Sequence, residues 1–365
     1  MMLYMCKGVM ASVKQHKRLL AGSIFLIAAV FLLIAARCIH GFSQWYALNI
    51  YPVLVGFIGR VSGCVPISVV EILLYCLIVT AIGMLLYSFR KKQFYNLFVN
   101  MYLIGAVLLF LYSSNCGVNY YRISFAESEG LNVKTYSVNE LKETCEWLTQ
   151  EVNYWASLVK RDDNGVMYLN VDERQEAVKV MKELGETYPE LAGYYSEPKA
   201  LLNHWILSVQ KITGVYSPFT IEANYNARMV DYNIPLTVCH ELSHLKGFMQ
   251  EEEANFIAFL ACMESETADF QYGGYMLAWI HCMNLLYRTD YDAWEEIRQT
   301  LTQQVEPDLK ANSTFWSRYD GAAAEVADRI NDTYLKANGQ SDGVESYGRM
   351  ADLLVVYYQK NISEQ

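Results

Sequence analysis

Residues 19–36 (LLAGSIFLIAAVFLLIAA) contain no charged side chain. A helix that is apolar on every face has no place on the surface of a small water-soluble domain, so this run directs the chain toward a bilayer. A hydrocarbon layer about 30 Å thick is crossed by about 20 helical residues at about 1.5 Å each. Two further stretches meet that need. One is about 67–87, with Glu71 near one end; the other is about 94–112, where Tyr95, Tyr102 and Tyr112 suit the interfaces. The first run exceeds the about 7–15 apolar residues of a signal-peptide core, which favours a retained anchor over a cleaved leader. Residues 50–66 are apolar too, but Pro52, Gly56, Gly59, Arg60 and Gly63 read as an interfacial or re-entrant piece. If that piece spanned, the domain after it would face the cytoplasm.

Charge divides the chain at the same place. Residues 1–114 carry nine basic side chains and one acid, Glu71; residues 115–365 carry 20 basic side chains and 38 acids. Lys14, Lys17 and Arg18 precede the first span, and Arg90, Lys91 and Lys92 follow the second. Positive charge stays in the cytoplasm, so both clusters predict a cytoplasmic N-terminus and an extracytoplasmic domain over 115–365. An acidic domain repels phosphate, which excludes nucleic acid as the expected partner. Membrane lipid and a peptide or protein substrate remain; oligomeric state is open. Cys116, Cys145, Cys239, Cys262 and Cys282 match no metal or redox spacing and read as buried thiols.

The expected class is mainly α with a small β element. Apolar residues at spacings of 3–4 predict helices over 138–160, 171–185 and 199–211. Residues 213–235 are rich in turn formers, β-branched residues and aromatics, and predict loops with one or two short strands. Beyond Pro235 the chain reads as helical, with loops near 268–274, 303–313 and 337–346. Tyr272-Gly273-Gly274-Tyr275 reads as a helix-entry turn, and Ser346, Tyr347 and Gly348 as a segment folding back on the domain.

His240-Glu241-Leu242-Ser243-His244 carries the chemistry. On a helix, positions i and i+4 lie about 40° apart and about 6 Å along the axis, so both imidazoles can reach one zinc ion. Glu241 points elsewhere and is placed to act as general base on water. A third ligand is needed. The place that holds a histidine in the related HExxHxxGxxH pattern holds Gln250, a poor zinc ligand, so a carboxylate must serve. Glu251 is the first choice, with Glu253 next. Glu251 shares a helix face with Asn255, which would orient a ligating histidine through its other ring nitrogen.

HExxH followed by Glu251-x-x-Ala254-Asn255 resembles the gluzincin metallopeptidases. The wider set is similar to the bacterial membrane family called domain of unknown function 3810. That set comprises Tyr216-Ser217-Pro218-Phe219-Thr220, then Glu222-Ala223-Asn224, then CHELSHLKGFMQEEEANFIAFLAC at 239–262. The resemblance implies N-terminal transmembrane helices followed by a zincin-like domain, and a zinc peptidase activity. In that activity Glu241 relays a proton from water to the leaving amine. Tyr225, Arg228, Tyr275 and His281 are the candidate oxyanion or substrate contacts, and residues 224–233 the expected edge strand for substrate. The alternatives are a non-catalytic zinc-stabilised sensor and a structural membrane protein.

Overall fold

The computed structural model describes residues 2–131, 136–340 and 349–363, with side chains from residue 13 onward. Among them, three helices are long and apolar enough to cross a membrane. They are Met2–Cys38, free of charge over 19–36, then Val69–Lys91 and Phe94–Tyr112. The first and third pack together. Gly22 lies against the Tyr102 ring, which a Cβ would meet at 2.6 Å, and Phe25 meets Phe110 at 5.4 Å between centroids. Ile24, Ile27, Phe31, Val79 and Leu86 are exposed on these helices, as lipid-facing side chains are. The second helix starts two residues later than the apolar run suggested, because Ser68 caps it by accepting the Glu71 N–H. Lys14 and Arg18 line one recess with Ser88, Gln93 and Asn100 at the end remote from the domain, where Arg18 donates to Asn100 at 2.8 Å.

Residues 42–66 form short helical turns that pack on the C-terminal domain. Tyr51 is buried; its hydroxyl lies 2.8 Å from that of Tyr216 and donates to the Leu245 carbonyl at 3.1 Å. The Arg60 guanidinium stacks 4.3 Å over the Tyr194 ring, and Lys199 donates to the Ser62 carbonyl at 2.8 Å. Residues 42–66 and the domain are thus in direct contact. Val69–Lys91 and Phe94–Tyr112 then form a hairpin between them.

The domain core is built from the helices Val138–Ala156, Glu173–Thr187, Ile234–Leu245, Glu251–Glu264, Ala268–Thr289 and Met350–Asn361. Ser137 and Glu140 close the first with a capping box. One small sheet holds β1 (Lys199–Ala200), β2 (Gly214–Ser217) and β3 (Glu222–Tyr225) in the order β1-β3-β2. β2 runs antiparallel to β3 in the register Gly214↔Tyr225, and β1 runs parallel to it.

Three expectations are corrected. Residues 199–211 are not a helix but β1, a loop and the single turn Trp205–Ser208. The Glu71 carboxylate takes the Leu202 and Asn203 N–H groups at 2.8 and 2.9 Å, which ties that loop to the second apolar helix. Residues 268–274 are not a loop; Tyr272–Tyr275 lies inside Ala268–Thr289. Its glycines serve close packing. A Cβ on Gly273 would come 2.8 Å from the Tyr232 carbonyl, and one on Gly274 2.5 Å from Cys262 Cβ. Much of 303–313 is the start of the helix Glu306–Ser317. Ser346, Tyr347 and Gly348 lie outside the described residues.

Candidate metal centre

The HExxH helix, Ile234–Leu245, starts with Pro235 in its first turn, where a missing N–H costs nothing. Gly247 ends it with φ +87, a left-handed turn that a Cβ would disfavour. That turn brings the Phe248 carbonyl back to His244 Nδ1 at 2.7 Å. Asn255, one turn into the next helix, brings its side-chain oxygen to His240 Nδ1 at 2.8 Å. Each Nδ1 donates to an oxygen, so each Nε2 is turned toward the opposite side.

What they face is Glu251, the first residue of Glu251–Glu264. Its Oε2 lies 3.2 Å from His240 Nε2 and 3.7 Å from His244 Nε2, and one ligand atom from each residue falls within 4.8 Å of the others. Ligand atoms about 2.0–2.1 Å from a tetrahedral ion stand about 3.3 Å apart, so this spacing fits a metal. The three side chains are 12%, 10% and 12% exposed. Burial works to raise the Glu251 carboxyl, but hydrogen bonds and charge from His240 and His244 outweigh it and hold it well below the usual range. Burial works to lower His244, but Glu251 outweighs it and pushes the imidazole up to about 9. A cation would displace the imidazole proton.

Glu241 is buried, and its Oε2 has no hydrogen-bond partner. Burial pushes this carboxyl up to about 7. An orphaned carboxylate oxygen beside two imidazoles fits a site that takes a metal and a polar molecule. Gly214 on β2 makes room for it, since a Cβ there would meet Glu241 Oε1 at 2.5 Å.

These residues line a cavity of about 1310 Å³. Of the four candidate contacts, His281 borders it; burial, with His240 nearby, pushes that imidazole down to about 4. The other three are elsewhere. Tyr225 donates to Glu173 at 2.5 Å, Arg228 sits in the turn after β3, and Tyr275 is packed between Trp147 and Phe259. Glu253 accepts the Ala126 N–H at 3.2 Å and Glu252 pairs with Arg349 at 2.9 Å, so neither joins the cluster. The strand bordering the cavity is β2; within 224–233, β3 is central in the sheet and Asn233, in the helical turn Asp231–Asn233, reaches the cavity without being part of a strand. Sequence reading missed Gly214 and the Phe248 carbonyl. Gly247 was the visible signal for the second, whereas nothing local marks the first.

Fold and site together define a class: a mainly helical chain with membrane-length apolar helices and an enclosed cluster of two histidines and a glutamate able to hold a metal. The chain belongs to the family described as protein of unknown function (DUF3810), whose profile matches residues 46–355. No curated protein and no solved structure matches it.

Proposed function

We propose that this chain is a membrane-anchored zinc metallopeptidase. The observation that carries the reading is the convergence of His240 Nε2, His244 Nε2 and Glu251 Oε2 in one cavity, with the unpartnered Glu241 carboxylate beside them. Zinc held by those three residues would supply Lewis acidity toward a peptide carbonyl and a water molecule. Glu241 takes a proton from the attacking water at Oε2 and returns it to the leaving amine nitrogen. Asn255 and the Phe248 carbonyl keep both imidazoles in one tautomer and orientation. β2, at the sheet edge, offers backbone groups to an extended peptide. His281 is the candidate donor to the carbonyl oxygen.

The same reading places the domain outside the cytoplasm, because Lys14 and Arg18 share a recess with Ser88 and Gln93, the residues that flank the basic run Arg90–Lys92 in sequence. Maleimide added to intact cells then labels the exposed Cys64, while a cysteine placed at Lys91 is labelled only after permeabilisation.

Zinc content of the full chain purified in detergent tests the metal, beside Glu251→Ala and Glu241→Gln. One zinc per chain, lost in Glu251→Ala and kept in Glu241→Gln, supports the site. Loss of casein hydrolysis in Glu241→Gln with its zinc retained separates a peptidase from a zinc-stabilised sensor. No zinc in wild type after incubation with the ion overturns the reading.

A further inference from the structure

The cavity over the histidine–glutamate cluster is not confined to the domain. Val70, Glu71 and Leu74, from the start of the apolar helix Val69–Lys91, line it, and so does Tyr112 at the end of Phe94–Tyr112. Leu74 lies about 7.5 Å along the helix from Val69, at about 1.5 Å per residue. The cavity therefore reaches the level at which the apolar helices begin.

Its rim has the chemistry of a membrane surface. The Glu71 carboxylate holds the loop after β1 against the helix; Leu202 on that loop and Trp205, which opens the turn after it, are 64% and 58% exposed. The helix Ala322–Ala337 also lines the cavity and leaves Ile330 64% exposed. Large apolar side chains, tryptophan among them, are favoured at this depth and unfavourable in open water. Within the cavity, β2 presents an edge that pairs with no further strand among the described residues, with Val215 partly exposed and Gly214 against Glu241. A peptide added to that edge would have its backbone beside Glu241.

We propose that the substrate is a polypeptide anchored in the same membrane by its own transmembrane helix. It is bound on β2 through the short stem just outside that helix. This rests on the peptidase reading and names its substrate class. A stem that enters at the membrane surface needs no long tether, and a long flexible one lowers its effective concentration at the cavity.

Photocrosslinking tests it on the full chain in proteoliposomes. p-Benzoylphenylalanine replaces Val215 in the cavity or, as control, the exposed Tyr168 outside it. The probe is a leucine–alanine transmembrane helix of about 20 residues bearing a biotinylated alanine–valine–serine stem. It is compared, at equal amounts, with a probe carrying a glycine–serine spacer of about 30 residues before the stem, and with the free stem. The expected result is at least about tenfold more adduct at Val215 from the direct stem than from either other probe, with no such preference at Tyr168. Equal yields from direct and spaced stems, a preference for the free stem, or no adduct at Val215 overturns the proposal. Crosslinking needs no turnover, so a failed zinc or hydrolysis assay with this pattern intact sinks the peptidase reading alone.

Discussion

Asn255 and Gly214 do opposite things for the site: one holds a side chain in place, the other leaves space for one. Asn255 reaches His240 Nδ1 at 2.8 Å, so Asn255→Ala frees that ring to rotate. Zinc affinity should fall about 10–100-fold, read by competition with a chromophoric chelator. Gly214→Ala puts a methyl group 2.5 Å from Glu241 Oε1, and Glu241 must move. A displacement near 1 Å at a reacting group costs about 10²-fold, so hydrolysis should drop by that order while zinc stoichiometry stays at the wild-type value. Loss of metal in Gly214→Ala would show that the strand supports the ligands and not the base.

The site depends on elements meeting at specific distances. Glu222, at the start of β3, accepts the Val69 and Val70 N–H groups at 3.1 and 2.9 Å, which places a carboxylate at the N-terminus of the second apolar helix. Lys199 pairs with it, and both side chains are almost wholly buried. Glu222→Gln leaves the Lys199 ammonium without its counter-charge, an effect that costs about 3–5 kcal/mol where a buried pair is broken. A lower unfolding temperature in detergent checks this, and Lys199→Met combined with Glu222→Gln should recover part of the loss. Gly273→Ala acts on the helix facing the HExxH helix. Its Cβ would press on the Tyr232 carbonyl and Pro235, and overpacking of this kind costs about 1–3 kcal/mol, again read as a lower melting point.

At the scale of the molecule, the boundary suggested by charge differs from the one made by packing. Residues 42–66 precede two apolar helices, yet Tyr51, Gly59 and Ser62 are bonded to the domain that follows them. Residues 115–365 expressed alone lose that layer and expose Tyr216, Tyr194 and the buried Lys199–Glu222 pair. They should not show a cooperative melt by near-ultraviolet circular dichroism, whereas the full chain in detergent should. A cooperative transition in the fragment would show the layer to be dispensable.

The sequence by itself determined what local geometry carries. An apolar run of membrane length is a property of consecutive residues, and HExxH works because four residues make one helical turn, so the three long helices and the pairing of His240 with His244 were legible before any packing was known. The near-match of 171–185 to Glu173–Thr187 has the same cause. The shared face with Asn255 favoured Glu251 in the sequence, and only the tertiary structure supplied the reason its neighbours stay out of the cluster: Glu252 and Glu253 are drawn away by Arg349 and by the backbone of residue 126. It likewise decided that Gly273 and Gly274 continue a helix, that the strand bordering the cavity is β2, and that His281 alone of four candidates reaches it. Those outcomes depend on contacts between residues far apart in the chain. No periodicity records them, because each is set by the surface that another element happens to present.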